Sequence, residues 1–287
     1  MNFPFSLLEV FQALAIGLLT GLLSGTFGVG GGIVCTPMLR LIMHLDAHMA
    51  IGTTLALIVP TSVAGAVNYV KEKLVDLNMV KLLVLPAIIG TLIGAALTLQ
   101  VQGRTLMLLF AALITLAAVD LLSGFSNKLK QQAATKAELE LNQVVQADLA
   151  QPDLAQSDLV QAGAISKKLS WLKVFPVGLL TGLLAGFFGV GGGFILIPIL
   201  LAVYGMSAKS AFGTSLLVVA CLSVPGTIAH SINHHVQFLL VLVMVLGAVP
   251  GSMIGSKLAL RLKDSLLKRA FGAIMLAMAA FMVYKEL

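Results

Sequence analysis

Two glycine-rich runs are the residues of this chain best suited to hold a ligand. Each reads Gly-Val-Gly-Gly-Gly, first at 28–32 and again at 189–193. A glycine disfavours an α-helix by roughly 1 kcal/mol, so a helix should stop at each run. The helix that resumes beyond it would offer unpaired backbone N–H groups and a positive dipole end, which suit an anion. Ligand contacts are therefore predicted at Gly28, Gly30, Gly31, Gly32, Gly189, Gly191, Gly192 and Gly193, with a purely structural hinge as the alternative.

A second set of candidate ligand groups consists of hydroxyls at the start of a later helix in each half. They are Thr53 and Thr54 in the first half and Thr214 and Ser215 in the second. A hydroxyl at such a position can contact a ligand, or it can cap the helix and bond to its own backbone. Both roles stay open for all four residues. Asn68, Ser62 and Ser223 are weaker candidates.

Both sets recur because one unit is written twice along the chain. The stretch GLLTGLLSGTFGVGGG, which begins at Gly17, returns as GLLTGLLAGFFGVGGG, which begins at Gly178, with 14 of 16 positions identical. In a transporter built from two repeats, broken helices meet at the repeat interface near the midplane of the membrane. The duplication therefore predicts one binding site to which each half contributes a glycine break.

Composition places these repeats in a membrane. Hydrophobic residues make up 59% of the 287 residues and charged residues 10%, against about 25% charged residues in soluble domains. Mean hydropathy is +1.02. About 20 apolar residues span a bilayer, and the uncharged run 210–256 is long enough to hold two such spans. The predicted fold class is an all-α polytopic membrane protein.

The predicted organisation is two membrane repeats, 1–125 and 171–287, joined by a linker at 126–170. Each repeat contains a hairpin broken at the glycine run, followed by three transmembrane helices. The linker is rich in Gln, Ala, Asp and Lys and contains the series QADLA-QPDLA-QSDLV. Such low complexity is typical of a soluble tether that is disordered or loosely helical.

The distribution of basic residues favours inverted repeats. If the chain reverses at each glycine run, 15 of the 18 Lys and Arg residues fall on one side of the membrane. If each half instead crosses four times, the division is 10 against 8, which is no bias. The positive-inside rule then places the linker in the cytoplasm and both termini outside.

Several kinds of site are not expected. No Asp or Glu lies in the middle of a predicted span, so neither a carboxylate proton relay nor an intramembrane enzyme is indicated. Cys35 and Cys221 are interpreted as packing residues. His44 and His48, and separately His230, His234 and His235, fall in predicted external loops, where solvation is the expected role. No metal, cofactor or nucleic-acid site is predicted.

The runs GTFGVGGGIVCTPML, from Gly25, and GFFGVGGGFILIPIL, from Gly186, resemble those of the TauE/SafE sulfite-exporter family, also grouped as toluene-sulfonate uptake permeases. The resemblance covers about 6–123 and 172–286 and includes the Gly-Thr pairs at 52–53 and 213–214. It implies a multi-pass transporter of the bacterial inner membrane that moves small anions, often sulfur oxoanions or sulfonates. A channel-like protein, an integral membrane enzyme and a membrane scaffold are the alternatives, and no oligomeric state is predicted.

Overall fold

The computed structural model describes residues 6–123 and 171–286, which form ten helices and contain no strand. The all-helical prediction is confirmed. The whole predicted linker, 126–170, and with it the domain boundary at 125–126, lies outside the described residues. The helices are α1 (Leu7–Phe27), α2 (Gly32–Leu41), α3 (Ala47–Lys71), α4 (Leu77–Thr98), α5 (Gly103–Ser123), α6 (Trp171–Phe188), α7 (Gly193–Ala202), α8 (Ala208–Ile232), α9 (Phe238–Arg261) and α10 (Asp264–Glu286).

Helix length separates the spans from the segments that cannot cross. Among the described residues, six helices are long and apolar enough to span a membrane, namely α1, α3, α4, α8, α9 and α10. Helices α5 and α6 have shorter apolar segments. Helices α2 and α7 have ten residues each, or about 15 Å at 1.5 Å per residue, which is half of a bilayer core of about 30 Å.

The glycines spaced by four residues on α1 bring that helix against α9. A β-carbon at Gly17, Gly21 or Gly25 would collide with the backbone carbonyl of Met244, Ala248 or Ser252 respectively. The residue numbers of the glycines and of the residues they meet increase together, so the two helices are parallel. Small residues allow this close approach of backbones. Such packing stabilises the helix pair in a membrane, where the hydrophobic effect does not drive helices together.

Helix α6 of the second half packs against α4 of the first half in the same way. A β-carbon at Gly182 would collide with the carbonyl of Ala87, and one at Gly186 with that of Thr91. These helices are therefore also parallel. Each half thus packs its first helix along the other half's fourth, and the halves interlock.

Contacts between helix ends define two opposite faces of the bundle. The histidine face takes its name from His48, at the start of α3, whose Nε2 lies 3.1 Å from the carbonyl oxygen of Thr98 at the end of α4. The start of α9 joins this face, because the N–H of Gln237 donates to Thr53 Oγ1 (3.1 Å).

The opposite face is named the lysine face after Lys209, at the start of α8, which donates from Nζ to the carbonyl of Leu260 near the end of α9 (2.8 Å). The start of α4 belongs here, because the N–H of Asp76 donates to Thr214 Oγ1 (3.0 Å). Asp264, at the start of α10, accepts from the N–H of Ala208 at the same face (2.8 Å).

The parallel helix pairs then give the direction of the whole chain. Helix α1 starts at the histidine face with α9, and α6 starts at the lysine face with α4. Each half reverses at its glycine run, and three longer helices follow. Leu7 and Glu286 consequently lie toward the histidine face, whereas Ser123 and Trp171, which flank the undescribed segment, lie toward the lysine face.

A topology experiment tests the direction of the chain in the cell. We expect a reporter inserted near Ala150 to show cytoplasmic activity and one fused after Leu287 to show external activity, because the basic residues favour a cytoplasmic lysine face. The measurement pairs a phosphatase reporter, active outside, with a fluorescent reporter, active inside. Reporters that place both positions on one side of the membrane would contradict this arrangement.

Candidate anion site

The backbone of each glycine run turns in a way that only glycine adopts easily. Gly28, Gly30 and Gly31 have φ angles of 74°, 77° and 87°. The second run repeats the pattern at the matching positions, Gly189, Gly191 and Gly192, with angles of 67°, 76° and 71°. A side chain at any of these positions would cost about 1–3 kcal/mol of backbone strain. The glycine composition is therefore required by the turn between α1 and α2 and by the turn between α6 and α7.

The structure brings the two runs into direct contact. A β-carbon at Gly32 would collide with Cα of Val190, and one at Gly193 would lie 2.8 Å from Cα of Val29 and 3.0 Å from the carbonyl oxygen of Gly28. Each run therefore packs backbone to backbone against the other. The eight glycines predicted as ligand contacts therefore form one central cluster.

Two apolar side chains close the space between the runs. A β-carbon at Gly30 would lie 2.6 Å from Val219 and 3.0 Å from Ile58, and one at Gly191 would lie 2.7 Å and 3.3 Å from the same residues. Ile58 and Val219 are fully buried, and they occupy matching positions of the two repeats, as the glycine runs do. They form an apolar plug at the centre of the protein.

Both half-length helices begin at this centre without a side-chain cap. The N-cap residues are Gly31 for α2 and Gly192 for α7, and neither has a side chain to accept from the first N–H groups. A helix start of this kind carries a partial positive charge and free donors. Two such starts converge on the contact between the runs.

A group of buried hydroxyls without hydrogen-bond partners surrounds the same contact. Removal of an unpaired hydroxyl from water is costly, so such groups are rare unless a ligand or water pairs with them. Within the described residues the hydroxyls without a protein partner are those of Thr20, Ser24, Ser62, Thr181, Ser215 and Ser223.

Five of these six side chains touch a glycine of the runs. A β-carbon at Gly31 would lie 2.5 Å from the methyl carbon of Thr20 and 3.3 Å from Cβ of Ser24, and one at Gly192 would lie 2.8 Å from the methyl carbon of Thr181. Ser62 Oγ and Ser215 Oγ would lie 3.2 Å and 3.1 Å from β-carbons at Gly30 and Gly193. Ser223 follows the plug residue Val219 by one helical turn.

Other buried hydroxyls in the long helices show that a carbonyl partner is available to such a group. Thr61 donates to the carbonyl of Leu57 (2.6 Å) and Thr91 to that of Ala87 (2.8 Å), each four residues earlier. This bond is the usual solution for a hydroxyl inside a membrane helix. The hydroxyls around the glycine runs do not adopt it, and they retain their hydrogen-bonding capacity for another partner.

The structure divides the four predicted hydroxyls between two roles. Thr53 and Thr214 accept from the N–H groups of Gln237 and Asp76, so they fasten the loops before α9 and α4. Thr54 accepts from Thr36 Oγ1 (3.1 Å) beside α2. Of the four, Ser215 is the residue that touches a glycine run with an unpartnered oxygen.

Sequence reasoning passed over the pair Thr20 and Thr181. Both stand in the duplicated GLLTGLL segment, in the middle of apolar helices, and the repeat itself was the signal that could have found them. Asn68, a weaker candidate, donates from Nδ2 to Ser256 Oγ (2.7 Å) and to the carbonyl of Met253 (3.0 Å). Its amide therefore holds α3 against α9.

The buried polar groups carry no fixed charge. Among the described residues, those that are buried and polar are Thr, Ser, one Asn and one His, with no Asp, Glu, Lys or Arg. No group of three or more His, Cys, Asp or Glu residues in the described ranges could hold a metal ion. The site thus offers hydroxyl and backbone donors without a carboxylate to repel a negative ligand.

Comparison with known proteins identifies the family of this chain. The family described as "Sulfite exporter TauE/SafE" matches residues 13–282. A "Probable membrane transporter protein" of Xylella fastidiosa strain Temecula1 is 27% identical over 94% of this chain and 93% of its own length. The "Probable membrane transporter protein YunE" of Bacillus subtilis is 26% identical over 79% of this chain and 80% of its own. No solved structure matches significantly. The chain therefore belongs to the TauE/SafE sulfite-exporter family of membrane transporters.

Proposed function

We propose that this protein is a secondary transporter of small anions, drawn from the sulfur oxoanions and sulfonates, which bind between the two glycine runs. The observation that carries the proposal is the set of unpartnered hydroxyls around two converging, uncapped helix starts. The name of the family, a sulfite exporter, supports the substrate class. With its substrate between the halves, the protein would use a site of the kind common to repeat transporters.

The chemistry of the lining fits an oxoanion better than a cation or a neutral solute. An oxoanion accepts several hydrogen bonds at once, and hydroxyls and backbone N–H groups supply donors from several directions. Hydrogen bonds to a charged group are worth about 1.5–3 kcal/mol each, enough to offset part of the cost of removing the ion from water. A lining without Lys or Arg keeps binding weak enough for release.

The arrangement of the halves supports alternating access through inverted repeats. The run at 28–32 approaches the centre from α1, which starts at the histidine face, and the run at 189–193 approaches from α6, which starts at the lysine face. Ile58 and Val219 fill the space between them and leave no room for an anion. We infer that movement of one half-length helix opens the site to one face while the other stays closed.

This tight centre favours a carrier over a channel. A channel requires a continuous path, whereas here a β-carbon on Gly30 or Gly191 would already lie within 3 Å of the plug residue Val219. The carrier is proposed to act in a bacterial inner membrane, with the lysine face and the linker in the cytoplasm, because the basic residues concentrate on that side.

Flux through purified protein in liposomes tests the proposal. We expect saturable uptake of sulfite, thiosulfate or methanesulfonate, and acceleration by the same anion on the opposite side, because a carrier returns faster when loaded. Dimethyl sulfone, a neutral analogue of methanesulfonate, is the matched control and should not compete. Linear, non-saturable flux would favour a channel. Absence of flux for all three anions would contradict the proposed substrate class.

A further inference from the structure

Three histidine rings meet at the histidine face. The prediction of solvated loop positions is wrong for two of them, because His48 lies in α3 and His230 is buried in α8. The ring centroids of His48 and His235 are 5.4 Å apart, and those of His235 and His230 are 6.0 Å apart. Their immediate neighbours are the loop carboxylate of Asp46 and the carbonyl of Gly186, three residues before the second glycine run. We call these three residues the histidine cluster.

The ring of His48 lies between two hydrogen-bonding partners. Nδ1 lies 3.2 Å from the Asp46 carboxylate and Nε2 lies 3.1 Å from the carbonyl of Thr98. Both partners are acceptors, and they hold the ring of His48 without using either of the other two rings.

The other two rings lack a partner on one nitrogen. His230 is 1% exposed and its Nε2 lies 3.5 Å from the carbonyl of Gly186, so that nitrogen acts as the donor. Nδ1 of His230 and Nδ1 of His235 are both buried without a hydrogen-bond partner. A proton taken up there would create a buried N–H and a positive charge for which the described residues provide no acceptor.

The residues that correspond to His230 and His235 in the first repeat lie at the lysine face and are not histidines. In the alignment that pairs Gly17 with Gly178, His230 corresponds to Tyr69, whose hydroxyl donates to the carbonyl of Gly25 (2.9 Å), the counterpart of Gly186. His235 corresponds to Leu74. At the lysine face, Tyr69 thus makes the corresponding hydrogen bond to α1, but no side chain at these two positions titrates near neutral pH.

The surrounding charges set the protonation of the cluster. Burial, followed by the positive charge of His48, lowers the pKa of His235, while Asp46 opposes this and His234 adds to it. Burial alone would raise the pKa of Asp46, but hydrogen bonds from His48 lower it overall. The further charged groups at this face are Arg40 near the end of α2, which is half-buried and donates to the carbonyl of Leu45 (3.1 Å), and the exposed Glu9 on α1, His44 in the loop after α2 and Arg104 on α5.

We propose that His230 and His235 form a proton-binding site that takes up one proton together with the transported anion at the histidine face. The inference rests on the proposed function. The anion supplies the missing acceptor and counter-charge, and the proton offsets the charge of the anion, so each favours the binding of the other. For one linked proton, anion affinity at this face should rise by up to about tenfold for each unit of decrease in pH.

The experiment replaces His230 and His235 by the side chains found at the corresponding positions of the lysine face. Methanesulfonate is the probe, because it remains an anion over roughly pH 5 to 8, where histidine titrates. We expect wild-type protein in liposomes to take up methanesulfonate faster as external pH falls, and a trapped pH dye to report a proton entering with it. His230→Tyr combined with His235→Leu should abolish both effects. His44→Asn, an exposed histidine in the same protein, is the control and should leave both unchanged.

A second measurement does not depend on any variant. Titration of wild-type protein with methanesulfonate in two buffers of different ionisation enthalpy should show uptake of one proton per anion bound. Buffer-independent heat, or proton flux that survives in the double variant, would overturn the inference while the transporter proposal stands. Wild-type protein that neither binds nor moves methanesulfonate, sulfite or thiosulfate would overturn both.

Discussion

Gly31→Val and Gly192→Val should each abolish anion transport in a protein that still reaches the membrane. A β-carbon at Gly31 would lie 2.5 Å from the methyl group of Thr20 and 2.9 Å from its carbonyl oxygen, and one at Gly192 would lie 2.7 Å from the carbonyl oxygen of Thr181. Both positions also have positive φ. Because each half supplies one run, damage at either should be comparably severe. Initial flux in liposomes, normalised to monodisperse protein, measures the loss.

Two other glycines separate the causes of this loss. Gly205 has a φ of 65° and no atom within 4 Å of its β-position, so Gly205→Val reproduces the backbone strain without the crowding. Gly17→Ala would drive a methyl group into the carbonyl of Met244 on α9 and should reduce thermal stability rather than affinity. If Gly31→Val transported at the normal rate and affinity, the runs would be hinges, and the proposed site would be wrong.

The glycine runs could be predicted from sequence because their cause is local. Positive φ at Gly28 and Gly189 is a property of a few successive residues, and the cost of glycine in a helix is visible without tertiary structure. The duplication supported the same prediction, since a feature that returns at the same place in the second repeat is seldom accidental.

The roles of the hydroxyls could not be predicted in the same way, because their partners are distant in sequence. Thr53 is occupied by an N–H that lies 184 residues away, and Thr214 by one that lies 138 residues away. Their neighbours Thr54 and Ser215 occupy matching positions of the two repeats, yet Thr54 accepts from Thr36 and Ser215 has no hydrogen-bond partner. Only the packing of the helices decides which hydroxyl is paired.

The histidine cluster illustrates the same limit. His48 and His230 belong to different halves, and each is an ordinary loop or helix-end residue in its own segment. Close packing at Gly52, where a β-carbon would lie 3.0 Å from His230 Cβ, brings α3 and α8 together and thereby joins the rings. A small residue in one helix is thus the physical cause of a titratable cluster that neither segment predicts alone.

Thr20→Val combined with Thr181→Val should weaken anion binding strongly while leaving the empty protein as stable as before or more so. Valine keeps the shape of threonine, and neither hydroxyl has a partner to lose in the empty protein. Burial of an unpaired hydroxyl is itself unfavourable, so its removal should not lower the melting temperature. Each hydrogen bond to an anion is worth about 1.5–3 kcal/mol, or roughly 10- to 150-fold in Kd.

The matched controls are Thr61→Val and Thr91→Val, which remove hydroxyls that are bonded to a carbonyl in their own helix. These should lower stability slightly, by about 1 kcal/mol, and leave anion affinity unchanged. Thermal unfolding with and without anion, together with the substrate concentration at half-maximal flux, measures both quantities in one preparation. The two kinds of hydroxyl are therefore distinguished by which quantity changes. Loss of the Thr20 and Thr181 hydroxyls should lower anion affinity without lowering stability, whereas loss of the control hydroxyls should lower stability without changing affinity. If the double variant and the two controls behaved alike, the unpartnered hydroxyls would not be ligand groups, and the anion would have to be held by the backbone of the glycine runs alone.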